Sequence, residues 1–152
     1  MTRRKVLRWA LLGIAVVLVG IQLVPVDRSN PPVEVEVAAN ANVRAVLRRA
    51  CYDCHSHETV WPWYSKVAPV SWLVAHDVHE GRQKLNFSTW NRYTPKQQVK
   101  KSKESWEEVA AGEMPLWYYL PVHRDAALSA DDRALLRTRH TGTSRSVGTP
   151  VR

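Results

Sequence analysis

The sequence predicts a mostly α-helical domain preceded by one membrane-spanning helix. Three observations carry this expectation. An uncharged apolar run follows a basic cluster at the amino terminus, helix start and stop signals recur along the rest of the chain, and strand signals are scarce. At 152 residues the chain suits one domain and one extra segment. A domain of this size buries a limited share of its surface, so a metal, disulfide or cofactor often completes it. Seven tryptophans stand against a single phenylalanine, which suggests large flat rings lining something.

Residues 1–8 form a basic end with Arg3, Arg4, Lys5 and Arg8. Residues 9–24, "WALLGIAVVLVGIQLV", carry no charge, and Gln22 is the only strongly polar side chain among them. Arg8 can snorkel, so Val6 and Leu7 extend the run into the range of about 17 to 25 residues that a spanning helix needs. A cleaved signal peptide shares the basic start and apolar core. Its small-residue cleavage site is missing, however: Val24-Pro25-Val26 is a poor one, and the nearest A-x-A pattern, Ala39-Asn40-Ala41, lies far beyond the core. The expectation is an uncleaved single-pass anchor with its basic end in the cytoplasm and the rest facing the periplasm or cell exterior.

Residues 25–40 read as a linker. Pro25, Pro31 and Pro32 forbid a helix, while Val33, Val35 and Val37 alternate with Glu34 and Glu36 as a short extended piece would. The domain proper is expected at 41–140. Asn42 is the expected cap of a helix whose Val43, Val46, Leu47 and Ala50 share a face. Pro69 opens a second helix, through Trp72, Leu73 and Val74 to about Gly81. "NFSTWNRYT" reads as loop. Thr94 caps a long helix with Pro95 at its first position, and Gly112 ends it. "EMPLWYYLP" is a proline-bounded loop. Ser129, with Asp132 at the capping-box position, starts a last helix, and residues 141–152 read as a disordered tail.

The formal charge of +8 raises the question of nucleic acid. Four of the 22 basic residues precede the apolar run, which leaves 18 against 14 acids and a balance of +4 for the remainder. Those charges are interspersed, and no RNA-binding motif or finger spacing is present, so no nucleic-acid partner is expected.

The chemistry concentrates in Cys51-Tyr52-Asp53-Cys54-His55, which holds both cysteines of the chain. A zinc ribbon needs a second cysteine pair, and a finger needs a wider His–His spacing than His76 and His79 offer. A redox dithiol needs a βαβ setting that is not evident. A disulfide across three residues closes too small a loop to stabilise much. The remaining reading is covalent haem, for which C-x-x-C-H is the signature. Two vinyl groups on adjacent pyrroles each take one sulfur, so the sulfurs must be held at a set distance, and two intervening residues on a helical turn do this. The following histidine then falls under the ring as the proximal iron ligand.

The sixth ligand is the missing part. Apart from the initiator there is one methionine, Met114, in "AAGEMPLWYY". Methionine sulfur raises the potential of haem iron and favours electron transfer, and Pro115 stiffens the loop around Met114. His76, His79 and His123 are the alternatives. His57 is too close to His55 to reach the other face of a ring, and His140 is expected to be exposed near the tail. Trp61, Trp63, Trp72 and Trp90 are the candidate pocket rings, with Tyr64 and Trp117 nearby in sequence. Arg82, Asn86 and Arg92 are candidate partners for haem propionates.

With these residues in view, the chain resembles the bacterial haem-binding domain family, small membrane-anchored proteins similar to c-type cytochromes. The resemblance spans roughly residues 35–140 and rests on "CYDCHSHET", "WPWYSKVAPVSWLVAHDVHEGR", "LNFSTW" and "GEMPLWYYLPVHRDAALS". It implies haem c on Cys51 and Cys54, His55 as proximal ligand and Met114 as distal ligand. One departure is His57, where such proteins often carry asparagine.

The expected whole is therefore a small helical domain wrapped around one covalent haem and tethered to the bacterial cytoplasmic membrane. It would carry single electrons to an unidentified redox partner protein, with the mild positive balance steering it toward an acidic surface. The rival is a haem enzyme or sensor, peroxidase-like or gas-sensing, with an open or displaceable sixth position and a histidine in a distal acid–base role.

Overall fold

The apolar run of the sequence forms a continuous helix in a computed structural model of the protein, which describes residues 2–147. Helix α1 spans Arg3–Gly20 and passes into a 3-10 turn, Ile21–Leu23. Within these 21 residues the most apolar 18-residue stretch has a mean hydropathy of 2.2 and none of it is buried, so the helix is long and apolar enough to cross a membrane.

The domain is built from α2 (Ala41–Ala50), α3 (Tyr52–His55), α4 (Val70–Lys84), α5 (Pro95–Ala111) and α6 (Ala130–Val147). Short 3-10 turns occur at Trp63–Lys66, Trp90–Arg92 and Arg124–Ala126. Among the described residues there is no strand, only a parallel bridge between Val35 and Thr89. Helix α5 packs on α6, α6 on α2, and the short α3 is held between α2 and α4.

Local chemistry explains most boundaries. The cap of α2 is Asn40 rather than Asn42: its side chain accepts from the Val43 N–H at 2.9 Å, two residues earlier than expected. An N-cap side chain reaches the amide three residues on, and from Asn40 that amide belongs to the buried Val43. Helix α5 starts at the expected cap, Thr94, where the structure adds a capping box in which Thr94 and Gln97 satisfy each other's amides, and ends at Gly112, with φ of 81°. At α6, Ser129 and Asp132 do the same with bonds of 2.8 and 3.1 Å. Helix α4 runs past Gly81 to Lys84, because glycine in its last turn is paired like any other residue: the Gly81 carbonyl accepts from the Leu85 N–H at 2.9 Å. Helix α6 continues to Val147, into the segment expected to be a disordered tail. No proline interrupts it there, and residues 148–152 lie outside the described residues. His140 accordingly sits part-buried on α6 rather than exposed.

Residues 30–40, expected as part of a spacer, lie against the domain instead. Val37 is buried and its N–H donates to Phe87 O at 2.9 Å, while Trp90 N–H donates to Val35 O at 2.9 Å. His57 holds the start of this stretch: its Nδ1 lies 2.9 Å from Pro32 O and its Nε2 2.8 Å from Asn86 Nδ2. The core that results joins Val37 to Val43, Val46 and Leu47 of α2, Tyr52, Phe87, Trp90, Val109 of α5 and Leu136 of α6.

Candidate functional site

The Cys51–His55 run is a single helical turn. Cys51 N–H continues α2 by donating to Leu47 O at 2.9 Å, and Cys51 O accepts from Cys54 N–H at 3.3 Å and His55 N–H at 2.9 Å. Residues three apart on such a turn share a face. Both cysteines are free thiols and half-buried. Burial pushes each thiol up to about 12, so both sulfurs are protonated and neutral, unlike the depressed thiolate of a redox dithiol.

His55 is held by the end of α4. Its Nδ1 lies 2.9 Å from Gly81 O and 3.2 Å from Leu85 O. Carbonyl oxygens only accept, so Nδ1 carries the ring proton and Nε2 keeps its lone pair. Burial lowers the His55 pKa and keeps the imidazole neutral, which is its metal-binding form. The α4 backbone approaches this closely because residue 81 is glycine: a Cβ there would stand 2.6 Å from Cys54 O and 3.1 Å from Cys54 Cβ. Behind His55, Phe87 donates its N–H to His55 O at 2.8 Å. Its ring presents an edge contact to the imidazole at 6.3 Å and stacks between Tyr52 at 5.4 Å and Trp90 at 6.2 Å.

A cavity of about 390 Å³ opens beside this turn, walled by Cys51, His55, Phe87, Trp106 of α5, Met114 and Leu136 of α6. Met114 reaches it because the left-handed Gly112 turns the chain back at the end of α5, and the Met114 N–H then donates to Glu108 O at 3.3 Å. Lys84, Lys101 and Arg139 add positive charge to the same wall and Glu104 and Glu108 negative charge, with Lys101 Nζ 3.6 Å from Glu104 Oε2. A second cavity, of about 380 Å³, is lined by Cys54, Asp53, Tyr64, Leu73, Tyr119 and His123 among others. The motif turn contributes to both, Cys51 and His55 to the first and Asp53 and Cys54 to the second, as do Pro115 and Leu116 in turn.

The other candidates are placed elsewhere. His76 and His79 line a separate groove with Trp61, Trp72 and Arg82, on a face of α4 that does not carry the His55 contacts. His123 stacks on Tyr119, with ring centroids 3.9 Å apart, in the second cavity. Trp63 is exposed at that cavity's edge, and Trp90 is core. Among the described residues Trp106 is the tryptophan on the wall shared by His55 and Met114. Arg82, Asn86 and Arg92 have structural partners: Arg82 donates to Ser56 O at 2.7 Å and Asn30 Oδ1 at 2.7 Å, Asn86 pairs with His57, and Arg92 binds Glu34. Neither Phe87 nor Trp106 stands out as a site residue in the sequence. Trp106 and Val109 lie three apart on one stripe of α5, the only sequence signal that pointed there.

A neutral imidazole with its proton turned away and a thioether on one largely apolar wall, with a thiol at the same wall, suit an iron porphyrin. No curated protein and no solved structure matches the chain. The family model for the haem-binding domain matches residues 16–140. The protein is therefore a haem-binding protein, and the chain belongs to the haem-binding domain family.

Proposed function

We propose that the protein is a membrane-anchored c-type cytochrome that transfers single electrons outside the cytoplasm. In this reading Cys51 and Cys54 each add S–H across one vinyl group of a single haem, sulfur to one carbon and hydrogen to the other, so no atom is lost. His55 is the proximal ligand and Met114 the distal one. Haem bound there supplies a one-electron ferric–ferrous couple.

The observation that carries the proposal is the single cavity shared by Cys51, His55 and Met114. The chain's own residues account for the rest. Gly81 and Leu85 carbonyls orient the imidazole and fix its tautomer. Gly112 and the Glu108 carbonyl position Met114. Phe87, Trp106 and Leu136 supply the apolar part of the wall, and Lys84 offers a cation to a carboxylate group of the cofactor. The apolar helix Arg3–Leu23 is the proposed anchor, with Arg3, Arg4, Lys5 and Arg8 on the cytoplasmic side. A redox partner protein with an acidic docking surface suits the residual positive balance.

The test is the intact mass of the mature full chain, with haem staining after denaturing electrophoresis. The expected mass is that of the polypeptide plus one haem with nothing lost, and Cys51→Ala with Cys54→Ala removes the stain. An unmodified mass from cells with working cytochrome maturation would refute covalent attachment. A high-spin ferric spectrum with rapid carbon monoxide binding would favour the open-site enzyme or sensor.

A further inference from the structure

The domain carries an apolar face outside the cavity shared by Cys51, His55 and Met114, around the second cavity, which Cys54 lines. Val60, Trp63 and Val122 line the second cavity and are 74, 77 and 63 % exposed, and Trp117, 80 % exposed, lies in the chain between the lining residues Leu116 and Tyr118. Val67, Val70 and Leu73 continue the patch. Exposed single apolar residues need no explanation, but a group of them around one cavity, with two nearly bare tryptophans, does.

Its position relative to the anchor says what covers it. Gln22, at the end of the apolar helix, is tied to the domain in both directions: Ala68 N–H donates to Gln22 Oε1 at 2.9 Å, and Gln22 Nε2 donates to Ala68 O at 3.2 Å. At about 1.5 Å per residue, a helix of this length spans roughly 30 Å, the thickness of a bilayer's hydrocarbon core. Gln22 then sits at the outer boundary of that core and holds Ala68 there. Val67 and Val70 flank Ala68 and Pro69, and Trp63 and Leu73 lie within one further turn on either side.

The polar groups in this region suit the same setting. Asp53 accepts from Tyr119 OH at 2.7 Å and from the Val60 N–H at 2.9 Å, and Asp77 accepts from Tyr118 OH at 3.1 Å. The carboxylates are thus hydrogen-bonded within the domain. Lys66 is exposed in the same stretch and suits lipid phosphate. Tryptophan at the boundary of a bilayer is the common pattern, because an indole is apolar in body and polar at one edge.

We infer that this face lies on the lipid surface, with Trp63 and Trp117 inserted at headgroup level, so that the domain rests on the membrane instead of swinging on a tether. The inference rests on the anchor proposed above. Its occupant is the bilayer, not a second protein.

The test is hydroxyl-radical footprinting of the full haem-loaded chain, one copy per nanodisc of phosphatidylethanolamine and phosphatidylglycerol, read by mass spectrometry residue by residue. In water, Trp63 and Trp117 would oxidise faster than the half-buried Trp106 and Tyr93. On lipid the order inverts, with Trp63 and Trp117 at least threefold slower than those two. Fast oxidation of both, with Trp9 of the anchor still protected, overturns docking and leaves the anchor standing. Fast oxidation of Trp9 as well removes the anchor and the docking together. Protection that appears only at two copies per disc identifies a second copy as the occupant and overturns the lipid assignment.

Discussion

His55 Nδ1 lies 2.9 Å from the backbone carbonyl oxygen of Gly81, and the same glycine leaves no room for a side chain against Cys54. One residue of α4 thus sets both the tautomer of the histidine and the distance between helix and motif. Gly81→Ala places a carbon 2.6 Å from Cys54 O, so α4 or the turn must move. The expected result is a loss of about 1–3 kcal/mol of stability, as overpacking usually costs, and a several-fold fall in haem per chain. Urea unfolding and pyridine-haemochrome quantification check both.

Met114 is separable from its packing role. Met114→Leu conserves volume and should cost less than about 1.5 kcal/mol. The ferric spectrum of the wild type should carry a sulfur-to-iron charge-transfer band, absent from the variant, and the ferrous variant should bind carbon monoxide readily. An unchanged band in the Leu variant would show that another group holds the sixth position.

Phe87 tests the support behind the site. Its side chain is 2 % exposed, stacked between Tyr52 and Trp90, and edge-on to His55. Phe87→Ala should cost about 3–5 kcal/mol. Trp106→Ala, on the cavity wall and only half-buried, should cost less while lowering haem retention in the cysteine-free protein. Thermal unfolding and a haem-transfer assay separate the two effects.

An acid-sensitive lock joins α2 to α6. Arg49 Nη2 lies 2.7 Å from Asp132 Oδ1, and Arg49 also donates to the carbonyl oxygens of Asp125 and Ala127. The Arg49 guanidinium, followed by the Ser129 amide, holds the Asp132 carboxyl below its usual range. A depressed carboxyl pKa adds stability above the unfolded value, about 4, and that stability disappears as pH falls through the lower native value. Asp132→Asn should therefore cost about 1 kcal/mol at pH 7 and flatten the fall in stability below pH 4. Urea midpoints from pH 7 to pH 3 supply the measurement.

What the sequence by itself determined were features that depend on neighbours within about four residues. The helical turn of Cys51–His55, the cap at Thr94, the capping box at Ser129, the glycine stop at Gly112 and the apolar first helix are all of this kind, since capping, φ preference and hydropathy are local. Tertiary structure alone decided which groups meet across the domain. Nothing local reveals that the carbonyls of Gly81 and Leu85 close on His55, or that Phe87 and Trp106 face the cavity while Trp61, Trp63 and Trp72 do not. Nor does it show that residues 30–40 pack into the core, or that Gln22 ties the apolar helix to Ala68. These contacts join residues far apart in the chain. Their positions follow from how the helices pack, and side-chain type leaves that open.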